Sequence, residues 1–232
     1  MSFNWTQNEQ EYFATASLEE KRIAMANAFI ARDWMAFEWM MARGVNPNDV
    51  PYDMLWDAVR KEDLEAVKRL LAVNYNVHAI DDVAFRDAVR LGNMDIAKLL
   101  QAAGANVRAV NDESMSLAAE RGDAVMIRQL RAWGVPAVGW KNDPLVRAAE
   151  VGSIESVKEL LRLGATLEDE EGYYLPVRAA IRQNDEEMGK LIMKNLKKVD
   201  DVIDAMQLHE AFLPDDWKQM VDRWRLAIAL GK

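Results

Sequence analysis

Cysteine is absent from the 232 residues, which removes disulfides, thiolate nucleophiles and thiolate-bound metals together. The fold must stand on packing alone. Histidine is nearly as scarce, with only His78 and His209; neither has a neighbouring Cys or second His to complete a zinc site, and both read as ordinary surface or capping side chains. No apolar run approaches the roughly 18 residues a membrane span requires. The first twenty residues contain no Lys or Arg, so the basic start of a secretory signal is missing, and the expectation is a soluble, cytoplasmic protein. Positive charge is also in deficit: 29 Lys and Arg against 38 Asp and Glu leave a net charge of -9. That balance argues against a sequence-independent grip on nucleic-acid phosphates. A Gly-rich phosphate loop, a nucleophile elbow and an H-E-x-x-H motif are all missing. The chain is therefore expected to hold no catalytic residue, cofactor or metal.

What is present is a repeat. Gly44, Asn74, Gly104, Gly134 and Gly164 each close an apolar segment thirty positions after the last, and Asn195 closes another after thirty-one. Glycine and asparagine there suit a left-handed C-terminal cap. Upstream of each lie Trp39-Met40-Met41, Leu70-Leu71, Leu99-Leu100, Leu130, Leu160-Leu161 and Leu191-Ile192, the apolar stripe of a second helix. Earlier still come the small pairs Ala58-Val59, Ala88-Val89, Ala118-Ala119, Ala148-Ala149 and Ala179-Ala180, where helices must approach closely. Glu62-Asp63, Gly92-Asn93, Gly122-Asp123, Gly152-Ser153 and Asn184-Asp185 stand between, as turns that cap the next helix. Helix starts are marked by Asp53, Asp82, Ser114 and Asp143-Pro144, and Ser17 with Glu20 forms a capping box. Each unit is a helix pair.

This pattern resembles the ankyrin repeat over roughly residues 18–197. It is clearest from Asp143 to Gly152 and on through Leu160-Leu161 to Gly164-Ala165, and from Leu91-Gly92-Asn93 to Gly104-Ala105-Asn106-Val107. The family period is about 33; the period of thirty here predicts a shortened projecting finger, and the family's Thr-Pro-Leu-His signature survives only as Asp143-Pro144-Leu145-Val146. Another helix-pair solenoid is the alternative fold. The expectation is an all-α, ankyrin-type solenoid of about six degenerate repeats over 18–197. An N-terminal extension at 1–17 carries Trp5, Tyr12 and Phe13. Capping helices at 198–232 comprise one from about Val202 to Ala211, a break at Pro214, and a last helix bearing Trp217, Met220, Trp224 and Leu226.

The resemblance implies a protein-binding module whose groove positions follow each small pair: Arg60 and Lys61, Arg90 and Leu91, Glu120 and Arg121, Glu150 and Val151, Ile181 and Arg182. A second row lies on the loop edge: Asp49, Tyr52, Asp81, Asp82, Asn111, Asp112, Asn142 and Glu168 to Glu171. Stacked, these predict an acidic edge suited to a basic protein partner, bound by a monomer or weak homo-oligomer acting as an adaptor, inhibitor or neutralising factor. Val50, Ile80, Val110 and Trp140 form an apolar column expected to pack loop on loop, with Trp140 a candidate anchor. Two other classes remain open: a self-associating scaffold, and a metal-dependent solenoid using Glu168-Asp169-Glu170-Glu171, Asp185-Glu186-Glu187 or Asp200-Asp201.

Overall fold

The computed structural model describes residues 6–138, 143–167, 175–196, 203 and 216–231. The expected helix over about 202–211, the break at Pro214, His209, and the loop candidates Trp140, Asn142 and Glu168 to Glu171 lie outside them. All regular structure among the described residues is helical.

Helix α1, Gln7–Thr15, precedes six helix pairs: α2 Leu18–Ile30 with α3 Trp34–Met41, α4 Met54–Arg60 with α5 Leu64–Ala72, α6 Ala79–Leu91 with α7 Met94–Ala102, α8 Ala109–Glu120 with α9 Ala124–Ala132, α10 Asp143–Glu150 with α11 Ile154–Arg162, and α12 Leu175–Gln183 with α13 Glu186–Asn195. Helix α14, Trp217–Ala229, follows.

The turn inside each pair is built from two successive residues. One is left-handed, at Arg32, Glu62, Gly92, Gly122, Gly152 and Asn184. The next turns its side chain back onto the new helix: the amides of Ala36, Ala66, Ile96, Met126, Ser156 and Met188 donate to Asp33, Asp63, Asn93, Asp123, Ser153 and Asp185 at 2.9–3.4 Å. Each such cap satisfies an amide that the first helical turn leaves without a partner.

Packing follows the small pairs. The residues from Ala58-Val59 to Ala179-Ala180 are all buried, and there α4, α6, α8, α10 and α12 lie side by side as an inner layer. The second helices form an outer layer, with Leu70, Leu100, Leu130, Leu160 and Ile192 fully buried between the two. Alanine permits shorter interaxial distances than leucine, so the inner helices can approach closely.

Four local expectations are corrected. Asn195 is the last helical residue of α13 and not a left-handed cap: its side-chain amide donates to the Leu191 carbonyl at 2.8 Å, and the chain leaves through an extended Leu196. Asp82 and Ser114 do not cap helix starts as Asp53 does. Asp82 is the third of three left-handed residues, Ile80 to Asp82, a turn repeated at Val110 to Asp112, while the Ser114 hydroxyl donates to the Val107 carbonyl at 2.8 Å. The same turns break the apolar column: Val50 is buried, but Ile80 and Val110 are 69% and 46% exposed. Leu226 faces solvent, being on the opposite side of α14 from the buried Trp217, Met220 and Trp224.

A stacked solenoid must cover its terminal faces. At the start, Ser17 and Glu20 form the expected capping box, and Phe13 sets its ring edge-on to Trp39 with centroids 4.9 Å apart. At the other end α14 packs on α12 and α13, and the contact depends on a missing side chain: a Cβ on Gly189 would sit 2.3 Å from the Trp224 ring. Gly189→Ala should therefore displace α14 and destabilise the fold by about 1–3 kcal/mol, read as a lower urea midpoint by circular dichroism. Trp224→Leu in the same background should recover part of the loss, and an unchanged midpoint for Gly189→Ala would show that the close approach is not structural.

Candidate partner-binding surface

After each buried small pair the helix turns its next side chains outward. Arg60, Lys61, Arg90, Glu120, Arg121, Glu150, Val151 and Arg182 are exposed along the inner layer and Leu91 is half-buried, as the family pattern implies. Ile181 departs from the row and is fully buried.

Most of these charges are already engaged. Glu120 accepts from Arg147 at 2.7 Å, and Arg147 also holds Asp143 at 2.7 Å. Glu150 lies 3.7 Å from Arg182 in the next repeat, and Lys61 binds Asp57 at 2.7 Å. The Trp56 indole donates to Asp87 of the next repeat at 2.8 Å, while Arg90 donates to the other oxygen of the same carboxylate at 2.8 and 3.1 Å. Two guanidiniums of this row have no ion pair among the described residues. Arg60 lies over the Trp56 ring, 4.8 Å from its centroid, and so is backed by an aromatic that Asp87 holds in place. Arg121 rests on Gly92, where a Cβ would meet its Nε at 2.2 Å.

The loop edge is far less acidic than its sequence. Asp49 pairs with Arg22 at 3.2 Å, and Asp112 takes Arg108 through both oxygens at 2.7 and 3.1 Å. Asp82 is 5% exposed and works as a brace, accepting from the Asn106 amide and facing His78 Nδ1, each at 2.9 Å. Only Asp81 of these four keeps an exposed carboxylate with no ion pair among the described residues. The left-handed turns bring His78 to Asp82 and Arg108 to Asp112, which a count of charges along the chain does not reveal.

Tyr52 is half-buried at the same edge. Burial, helped by the hydrogen bond and charge of Asp57, pushes its phenol up to about 12. Tyr75 behind it is buried; its oxygen accepts from the Met54 amide at 3.2 Å and donates to the Tyr52 carbonyl at 3.4 Å. Burial, with the Asp53 charge second, pushes Tyr75 up to about 12 as well.

Two of the three carboxylates at 185–187 are engaged locally: Asp185 caps Met188, and Glu186 pairs with Lys190 at 2.7 Å. Among the described residues no three His, Asp or Glu side chains could share a metal ion, and no helix is long and apolar enough to cross a membrane. A crevice between the first two pairs, lined in part by Phe29, Arg32, Asp57 and Asp63, encloses about 20 Å³, room for about one water. The inner layer therefore offers a broad polar surface set with one supported arginine.

The tyrosines make a pH prediction. A phenol whose folded value lies above 10.0 contributes stability that is complete below about pH 10 and is lost as pH climbs through about 12. Tyr75→Phe should flatten this alkaline loss in urea unfolding followed across that range, while costing about 1–3 kcal/mol at neutral pH by leaving the buried Met54 amide unpaired. An alkaline slope identical to the parent's would exclude Tyr75 as its source.

No protein-family model and no curated protein matches the chain. Among solved structures it is similar to the crystal structure of the human ASB11 ankyrin repeat domain, with 22% sequence identity, a TM-score of 0.56, and coverage of 67% of this chain and 82% of that one. That likeness, with the paired helices and their left-handed turns, establishes the fold: the chain is built as an ankyrin-repeat solenoid.

Proposed function

We propose that the chain is a non-catalytic module that binds another protein along its inner layer, as one solenoid spanning 1–232 and as a monomer. The observation that carries this reading is Arg60 held over Trp56, itself tied to Asp87. Arginine and tryptophan dominate the binding energy of protein interfaces when they are pre-positioned. Here both side chains are supported before any partner arrives.

The net charge of -9 supports a partner with a basic surface, steered by the field of the whole chain. Asp81, Tyr52 and Asp112 extend the surface along the loop edge, and Trp140, Asn142 and Glu168 to Glu171, which lie outside the described residues, belong to the same proposal. Stoichiometric occupation of the partner's working surface, as an inhibitor or neutralising factor, is the simplest use of such a module, and lack of cysteine suits a reducing compartment such as the cytoplasm.

Affinity capture with the immobilised chain, followed by titration of the recovered partner, tests the reading. Arg60→Glu should weaken binding by about 30-fold, equivalent to about 2 kcal/mol. Asp81→Lys should chiefly slow association at low salt. Capture of nothing but the chain itself, with concentration-dependent sedimentation, would replace the module with a self-associating scaffold.

A further inference from the structure

The outer layer has a regular charge plan with one exception. Every outer helix but α9 carries a carboxylate: Glu38 on α3, Glu65 on α5, Asp95 on α7, Glu155 and Glu159 on α11, Glu186 and Glu187 on α13. Where the neighbouring repeats have Glu65, Asp95 and Glu155, α9 has Val125, 59% exposed. Its other outward positions are Arg128 and Arg131, both exposed. Arg128 reaches only the edge of Glu159, at 3.5 Å, because Arg162 already holds that carboxylate at 2.6 Å. Arg131 has no ion pair among the described residues, and neither has Lys98 on the neighbouring α7. A chain of net charge -9 thus carries three cations on and beside α9, Lys98, Arg128 and Arg131, against Asp95 and the shared Glu159. The patch is also partly apolar. Val125 supplies that apolar part, one helical turn from Arg128.

We propose that this outer face of α9 docks a segment of a partner protein that alternates acidic and aliphatic side chains. The Arg131 guanidinium, which has no ion pair among the described residues, can take a bidentate carboxylate contact. Val125 supplies the dry contact that a purely electrostatic patch lacks, and a carboxylate-bearing segment is attracted here although the chain as a whole repels it, because screening confines the field to about 8–10 Å. The site is separate from the inner layer and stands whether or not that surface binds.

A fluorescently labelled, alternating Glu-Leu peptide, titrated with the full chain and read by anisotropy, is the test. Binding is expected, weakened about tenfold by Arg131→Glu and again by Val125→Glu, and unaffected by Arg60→Glu. Arg131 is exposed and without an ion pair, so its reversal should leave the circular dichroism and the urea midpoint unchanged. Absence of peptide binding, or binding indifferent to Arg131→Glu and Val125→Glu, overturns the proposal. So does binding of phosphatidylserine vesicles without the peptide, which would make the patch a lipid-facing one.

Discussion

Close approach of the inner helices is the constraint on which everything else in this molecule hangs. Two helices can pack closely side by side, as α4, α6, α8, α10 and α12 do, only where the facing side chains are small, and the five pairs from Ala58-Val59 to Ala179-Ala180 meet that condition. Bulk is moved one layer out, where Leu70, Leu100, Leu130 and Leu160 fill the space between inner and outer helices. This division of small from large sets which helices form the inner layer and so which residues line it. Each repeat touches only its neighbours, so the ends need separate solutions: an edge-on Phe13–Trp39 contact at one, and Trp224 seated over Gly189 at the other.

A thirty-residue period also places each charge next to its counterpart one repeat away. The chain uses this to link repeats through Arg32–Asp63, Arg69–Glu38, Arg86–Glu113 and Arg147–Glu120. Exposed ion pairs of this kind contribute about 0–1 kcal/mol each, too little to hold the stack together and enough to favour one register of charges over another. Their larger consequence is subtraction. A charge committed to a neighbour is a poor contact for a partner, so recognition falls to the charges that remain, among them Arg60 and Arg121 inside, Asp81 at the loop edge, Arg131 and Lys98 outside.

The repeat, the helix pairs and their caps were readable before any coordinates because their causes are local. A left-handed residue followed by Asp, Asn or Ser is a turn and a cap wherever it stands, and the caps at Asp33, Asp63, Asn93, Asp123, Ser153 and Asp185 all follow that rule. The inner row was readable for the same reason, since the step beyond a buried alanine pair must turn outward. It failed at Ile181, because the turn at Gly152–Ser153 recurs thirty-two residues later at Asn184–Asp185, which makes Ile181 the counterpart of the buried Ala149.

Other features depend on groups far apart in the chain, and only the folded molecule decided them. Asp82 and Asp112 look alike in sequence, yet one is buried against the Asn106 amide and the other is neutralised by Arg108. Asp49 resembles Asp81 until Arg22 reaches it from a preceding helix. Val125 is an unremarkable helix valine until the outer layer sets it among carboxylates. Sequence alone determined where the helices begin, end and press together, because capping and side-chain volume act over a few residues. Which charges stay free was decided by tertiary structure, because an ion pair is a property of two positions and the chain lists them one at a time.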